Sequence, residues 1–259
     1  MALIWLQAAG LAVALPLAVE GGYRLHHWTK RSSGTVEDDG WAPLVAGAVT
    51  LLGLLLAFTV SMATDRFEAR RRLVIDEANA ISTTYLRARA FEGAPGAAVR
   101  AAILDYASSR RLAYLAGENP SNIDAVERAN DRQRDRIWAT TLVALGEPDN
   151  ARMTTSMLQA TNEMFDIAAT RQAAVETRVP PSILLSLVAY AIVTAVLSGY
   201  GLANHGARHA IASTLLFLMV AALITLVLDL DHPRSGAVRV SQSPLERVAI
   251  SIAAAEGAK

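Results

Sequence analysis

Apolar residues in this chain gather into four long runs, Leu3 to Val19, Trp41 to Ala63, Ser182 to Leu202 and Ala210 to Leu228. A helix crossing a hydrocarbon layer about 30 Å thick needs about 20 mostly apolar residues, because each adds about 1.5 Å. The pattern therefore predicts spanning helices at 1–23, 41–64, 181–203 and 210–230. An external loop at 24–40 joins the first pair and a short polar turn at 204–209 joins the second, which reads as a helical hairpin. The first run is short and carries Pro16, as a cleaved leader would. It lacks a basic start and a small-residue cleavage site, so a retained helix is expected.

Between the second and third spans the periodicity changes. From Asp65 to Phe91 there is no glycine or proline, and Phe67, Leu73, Val74, Ala78, Ile81 and Tyr85 recur at helical spacing. The second span should therefore continue as one long helix. Breaks at Glu92 to Gly96 and at Gly117 to Asn122 bracket a helix from about Ala97 to Ala116. Asp124, Arg128, Arg132 and Arg136 follow at steps of four, the mark of a helix with a solvated charged face, which ends near Gly146-Glu147-Pro148. A last stretch carries Met153, Met157, Met164, Phe165 and Ile167, read as core packing, and runs into Pro180-Pro181. The expected fold class is all-α: a polytopic membrane protein with four transmembrane helices, a helical module at 65–180 and a tail at 231–259. A module of that size can bury its own core.

Charge refines this picture. Of 259 residues, 53% are hydrophobic, with a mean hydropathy of +0.29 and 24 basic against 24 acidic side chains. The module is itself balanced, which argues against a nucleic-acid partner. Arg66, Arg70, Arg71 and Arg72 follow the second span, and Arg234 and Arg239 follow the fourth. The positive-inside rule places both flanks, the module and both termini in the cytoplasm. Arg24, Lys30 and Arg31 in the first external loop weaken the asymmetry, and Glu37, Asp38 and Asp39 do little to offset them. Arginine outnumbers lysine overwhelmingly, with only Lys30 and Lys259 present, and alanine is abundant; this composition suggests a GC-rich bacterial genome, and with the four spans the expected location is a bacterial inner membrane.

Candidate chemistry is sparse. The absence of cysteine excludes disulfides, thiolate metal sites and thiol nucleophiles. His26, His27, His205, His209 and His232 form no His-Glu-x-x-His motif and have no carboxylate at ligand spacing, and interfacial histidines are expected to be solvated. No nucleophile elbow, Walker loop or dinucleotide fingerprint occurs. No enzyme activity, catalytic residue, metal site or cofactor is expected.

Two stretches carry a resemblance. Phe58-Thr59-Val60-Ser61-Met62-Ala63-Thr64-Asp65-Arg66-Phe67-Glu68-Ala69-Arg70, with Asp76 to Ile81 and Tyr85-Leu86-Arg87 after it, is the first. Leu228-Asp229-Leu230-Asp231-His232-Pro233-Arg234-Ser235-Gly236, followed by Val240 to Leu245, is the second. Together with the order of the spans, they resemble the bestrophin-like family of bacterial membrane proteins, itself similar to bestrophin anion channels. The resemblance implies a homo-oligomer, a pentamer, in the lipid bilayer, passing small anions through a pore lined by the second helix of each subunit. Carried over at steps of four, the bestrophin neck falls on Thr50, Leu54 and Phe58, a constriction that gates by dewetting. Thr50 departs from the bulky apolar pattern.

Helical geometry taken alone gives a slightly different face. Ala46, Thr50, Gly53, Ala57 and Ser61 make a small-residue stripe suited to close packing, beside the bulkier Leu51, Leu55, Phe58 and Met62. The neck candidates are therefore Thr50, Leu51, Leu54 and Phe58. Asp229 and Asp231 sit where apolar helix gives way to polar chain, and a carboxylate at that depth should find a cation. An ion-pair belt with Arg66 and Arg70, beside Asp65, is the plain reading. A cation-binding clasp is the sharper one, because animal bestrophins bind calcium after their last span, but two aspartates supply too few oxygens for tight calcium binding. Asp76, Glu77 and Asn79 either line an ion path or pair with Arg72 one turn earlier; pairing is favoured. The alternative to a channel is a membrane-anchored interaction or signalling scaffold that binds a soluble partner through its module.

Overall fold

The computed structural model describes residues 2–33, 41–115, 120–204, 209–233 and 236–257. Glu37, Asp38, Asp39, His205, Arg234 and Lys259 lie outside the described residues. The elements are α1 (Ala2–Ser33), α2 (Trp41–Ala88), α3 (Gly93–Leu115), α4 (Pro120–Leu145), a 3-10 turn (Pro148–Met153), α5 (Thr154–Glu176), α6 (Pro181–Asn204), α7 (Ala210–Asp231) and α8 (Ser243–Gly257). Four stretches among them are long and apolar enough to cross a membrane: Ile4–Arg31, Trp41–Ala88, Asn150–Ala203 and Ala210–Asp231. The chain is thus an all-helical membrane protein.

Several boundaries have local causes. With no glycine or proline after Gly53, α2 continues unbroken to Ala88. It ends at a turn where Gly93 takes a φ of 69°, a region most side chains avoid. Gly96 is equally constrained, since a Cβ there would lie 2.2 Å from the carbonyl oxygen of Phe91. Pro181 opens α6 at the position where a missing N–H is tolerated. Helix α1 extends to Ser33, beyond the span expected from the apolar run, and carries Gly21 and Gly22 within it. The tail contributes a helix of its own, α8.

The chain divides into two compact units. The first comprises Met1–Asp65, Arg178–His232 and Gly236–Val238. Its core brings together Leu15 and Val19 of α1, Leu52 and Leu56 of α2, Leu187, Ala191 and Ala195 of α6, and Phe217, Ala221 and Ile224 of α7. Helices α1 and α6 meet at backbone distance: a Cβ on Gly22 would lie 2.0 Å from the carbonyl oxygen of Val196, and one on Gly199 would lie 1.9 Å from that of Val19. Close approach of this kind drives helix association in lipid, where apolar burial alone gives no preference.

The second unit comprises Arg66–Thr177, Pro233–Ser235 and Arg239–Lys259. Val74, Ile81 and Tyr85 of α2, Ile103 and Tyr106 of α3, Ile137 and Ala144 of α4, Met157, Met164 and Phe165 of α5, and Leu245 and Ile252 of α8 form its core. Of the methionines expected to be core, Met157 and Met164 are completely buried and Met153 is half-buried against the same cluster.

Candidate functional site

Helix α2 has two unlike faces in the first unit. Ala48, Leu52, Leu56, Thr59 and Ala63 are buried against the core, and Thr59 donates its hydroxyl to the carbonyl of Leu55 at 2.7 Å, so it presents no unpaired polar group. The neck candidates stand on the other side: Leu51 is 52% exposed, Leu54 50% and Phe58 67%. Thr50 is exposed as well, its hydroxyl turned back onto the carbonyl of Ala46 at 2.8 Å. Thr50 also lines an apolar cavity of about 700 Å³ with Val45 and Val49 of the same helix and Ser198, Ser213 and Phe217 of α6 and α7. The small-residue stripe Ala46, Thr50, Gly53, Ala57 and Ser61 is exposed along its length.

The exposed surface of α7 is different in kind. There Ile211, Leu215, Leu216, Met219, Leu223 and Leu226 make a broad face of large side chains, as lipid solvation favours. On α2 large apolar residues alternate with glycine, alanine, serine and threonine, a face suited to another helix or to a narrow wet passage.

The tail aspartates are buried and their described hydrogen bonds go to main chain. Asp229 accepts from the N–H of Ala237 at 2.6 Å and of Val238 at 2.8 Å, pinning the segment that follows α7. That segment can fold back because residue 236 is glycine; a Cβ there would meet the Asp229 carbonyl oxygen at 2.6 Å. Asp231 accepts from the N–H of Val179 at 2.8 Å, which ties the end of α7 to the start of α6. In the second unit Arg70 is buried and donates to the carbonyls of Ala174 at 3.0 Å and Thr177 at 2.8 Å. A cation placed on the last carbonyls of α5 complements that end of the helix dipole. Asp65 is exposed and Arg66 half-buried.

The densest electrostatic feature of the second unit was not legible at short range. Glu77 does not pair with Arg72 one turn earlier; it is fully buried and accepts from both Arg110 of α3 and Arg171 of α5. Arg171 donates in turn to the side-chain carbonyl of Gln242 ahead of α8. Burial works against the charge on Arg110, but the Glu77 carboxylate beside it more than offsets this and holds its pKa above the ordinary arginine value. Beside it, burial pushes the Tyr106 hydroxyl up to about 12. The periodicity carried a signal for this cluster. Arg171 continues the seven-residue step of Met157 and Met164, Arg110 follows Ile103 and Tyr106 on one face, and Glu77 lies between Val74 and Ile81. A charge on a buried stripe calls for a partner on a facing stripe.

The histidines divide. His209 is exposed, but His26 is only 2% exposed and packs edge-on against Tyr200 with ring centroids 4.8 Å apart. This corrects the expectation of a solvated residue: α1 remains helical past it and presents it to α6. The Trp41 ring lies tilted against the same tyrosine, with centroids 4.6 Å apart.

These features define a class: an all-helical membrane protein with four helices long and apolar enough to span, and further helices between the second and third of them in the chain. A family model described as the Bestrophin-like domain matches residues 12–245, and the chain belongs to that family. Its fold is similar to the crystal structure of a bacterial Bestrophin homolog from Klebsiella pneumoniae carrying a tyrosine-to-alanine mutation. The identity is 14%, the TM-score is 0.70, and the match covers 95% of this chain and 98% of that one. A tryptophan-to-alanine mutant of the Klebsiella pneumoniae homolog matches with a TM-score of 0.67 at 15% identity, over 96% and 95% of the two chains. No curated protein matches the sequence.

Proposed function

We propose that the chain is an ion channel subunit of bestrophin build, five copies of which assemble in a bacterial inner membrane around a pore lined by α2 and pass small anions. In this reading Leu51, Leu54 and Phe58, with Thr50, form the hydrophobic neck, and the module and both termini face the cytoplasm. The observation that carries it is the exposed face of α2, where Leu51, Leu54 and Phe58 stand beside Gly53, Ala57 and Ser61. In the assembly this face turns to the axis and to the adjacent copies, so small residues admit the neighbouring helix and large ones set the constriction. Membership of the bestrophin-like family and the likeness to a bacterial bestrophin homolog support the same reading.

Recording from the purified protein in planar bilayers tests it. Single-channel currents that reverse at the chloride equilibrium potential are expected under a chloride gradient. Absence of current across salts, voltages and lipids overturns the channel, and a monomeric or dimeric mass in detergent overturns the pentamer.

A further inference from the structure

Within the second unit, α8 lies along α2 and runs in the same direction. Gln242, just before α8, meets Arg171, which holds Glu77, whereas Glu256 near the end of α8 accepts the Tyr85 hydroxyl at 2.7 Å. Between the two helices is a groove of about 600 Å³, within the size range of small-molecule sites. Its floor is apolar, with Ile75 and Ala78 from α2 facing Val248 and Ile252 from α8. All of its charged lining residues are arginines: Arg71, Arg89 and Arg247. Asn79 and the hydroxyls of Ser82, Ser241, Ser243 and Ser251 supply further donors, and no carboxylate lines the groove. Two acids lie beside the lining: Glu68 meets Arg71 at 3.3 Å across an exposed pair, an interaction worth little in water, and Glu256 takes the Tyr85 hydroxyl at 2.7 Å and pairs with Arg100 at 3.0 Å.

Three guanidiniums around an apolar floor, with hydroxyl donors and no acid, are complementary to one kind of ligand. We infer that this groove binds an organic phosphate, its anionic group held by Arg71, Arg247 and the neighbouring serines and its apolar body lying on the floor toward Arg89. The shared direction of the helices places Ser241, Ser243 and Arg247 at the Arg71 end. Arg89, just past the end of α2, stands about 27 Å from Arg71 at about 1.5 Å per residue. The phosphate therefore sits at one end and the body extends along the groove. Planar guanidiniums match phosphate oxygens through paired N–H donors, and the floor makes a phosphate carried on an apolar group bind better than the bare ion. The same chemistry is found on a phospholipid headgroup and on a soluble phosphate monoester.

Calorimetric titration of the full-length protein in detergent, with inorganic phosphate, 1-naphthyl phosphate and dihexanoyl phosphatidic acid as probes, tests this inference. Saturable binding of 1-naphthyl phosphate, of the phosphatidic acid or of both is expected, tighter than inorganic phosphate. Binding by the phosphatidic acid alone identifies a lipid headgroup as the source, and binding by the naphthyl ester identifies a soluble ligand. Arg71→Gln and Arg247→Gln, both at exposed positions, should each weaken binding about tenfold. Ser251→Trp, which fills the groove and leaves every arginine in place, should abolish it. The inference is overturned if no probe saturates, if inorganic phosphate alone binds as tightly as the esters, or if the arginine and Ser251 variants bind as the wild type does.

Discussion

Gly199 of α6 lies so near Val19 of α1 that a single added carbon would stand 1.9 Å from the valine carbonyl oxygen. Gly22 of α1 is in the same position toward Val196, so the two helices meet through a reciprocal pair of glycines. Gly199→Ala must push the backbones apart, and overpacking of this kind costs about 1–3 kcal/mol. A lowered unfolding midpoint in detergent is expected, with a larger drop for Gly199→Leu. Gly10, which has nothing within 4 Å of its Cβ position, is the control and should tolerate alanine.

Glu77 balances two buried arginines, so removing it leaves like charges without an anion. Glu77→Leu should destabilise the module by about 3–5 kcal/mol, the range for breaking a buried pair from one side. The Arg136 and Asp105 pair, 57% and 54% exposed, is the contrast: Arg136→Ala should cost less than about 1 kcal/mol. Urea unfolding of the full-length protein followed by tryptophan fluorescence distinguishes the two.

Tyr106 gives a pH dependence of defined sign. Its hydroxyl ordinarily titrates near 10 and is pushed up to about 12 by burial, so the folded protein holds this proton more tightly than the unfolded chain. The resulting stability is present in full below about pH 10 and is lost as pH rises toward about 12. Absorbance at 295 nm should lose one late-ionising tyrosine in Tyr106→Phe, while Tyr85, which burial and its hydrogen bond to Glu256 also push up, remains. The stability of the variant should fall less steeply across that window.

Asp229→Ala leaves the N–H groups of Ala237 and Val238 without their acceptor. Faster hydrogen exchange at these two amides is expected, with a loss of about 1–3 kcal/mol for each buried donor left unpaired. Asp229→Asn keeps an acceptor oxygen and should lie between the variant and the wild type.

Under the proposed channel, Phe58→Ala removes the most exposed large side chain of the neck face. Single-channel recordings should show higher conductance and more frequent opening, because a dewetted constriction fills with water when it widens. Leu215→Ala on the exposed face of α7 should leave conductance unchanged.

The spans, the unbroken second helix and the family were legible because each is written at short range. Apolar run length marks a span, the lack of breakers from Asp65 to Phe91 marks the long helix, and the Phe58 to Arg70 stretch marks the family. Partner choice for buried charge was not legible at that range. A helical neighbour such as Arg72 is the nearest cation to Glu77 in sequence, whereas the fold supplies Arg110 and Arg171 from two other helices. Asp229 and Asp231 were recognised as residues in need of partners. That main-chain amides of residues 237, 238 and 179 would serve depended on how the chain turns after α7, which no periodicity records.

The core of the second unit draws on two stretches of chain separated by the last two spans. Leu245 and Ile252 of α8 fill it alongside helices α2 to α5. During synthesis, helices α2 to α5 leave the ribosome well before α8, and α6 and α7 must be made in between. The nascent module therefore waits with an open apolar seam and with Arg171 lacking Gln242, a state prone to aggregation and open to chaperones. Arrival of α8 closes that seam, so maturation of the module reports that the chain has been translated through its fourth span.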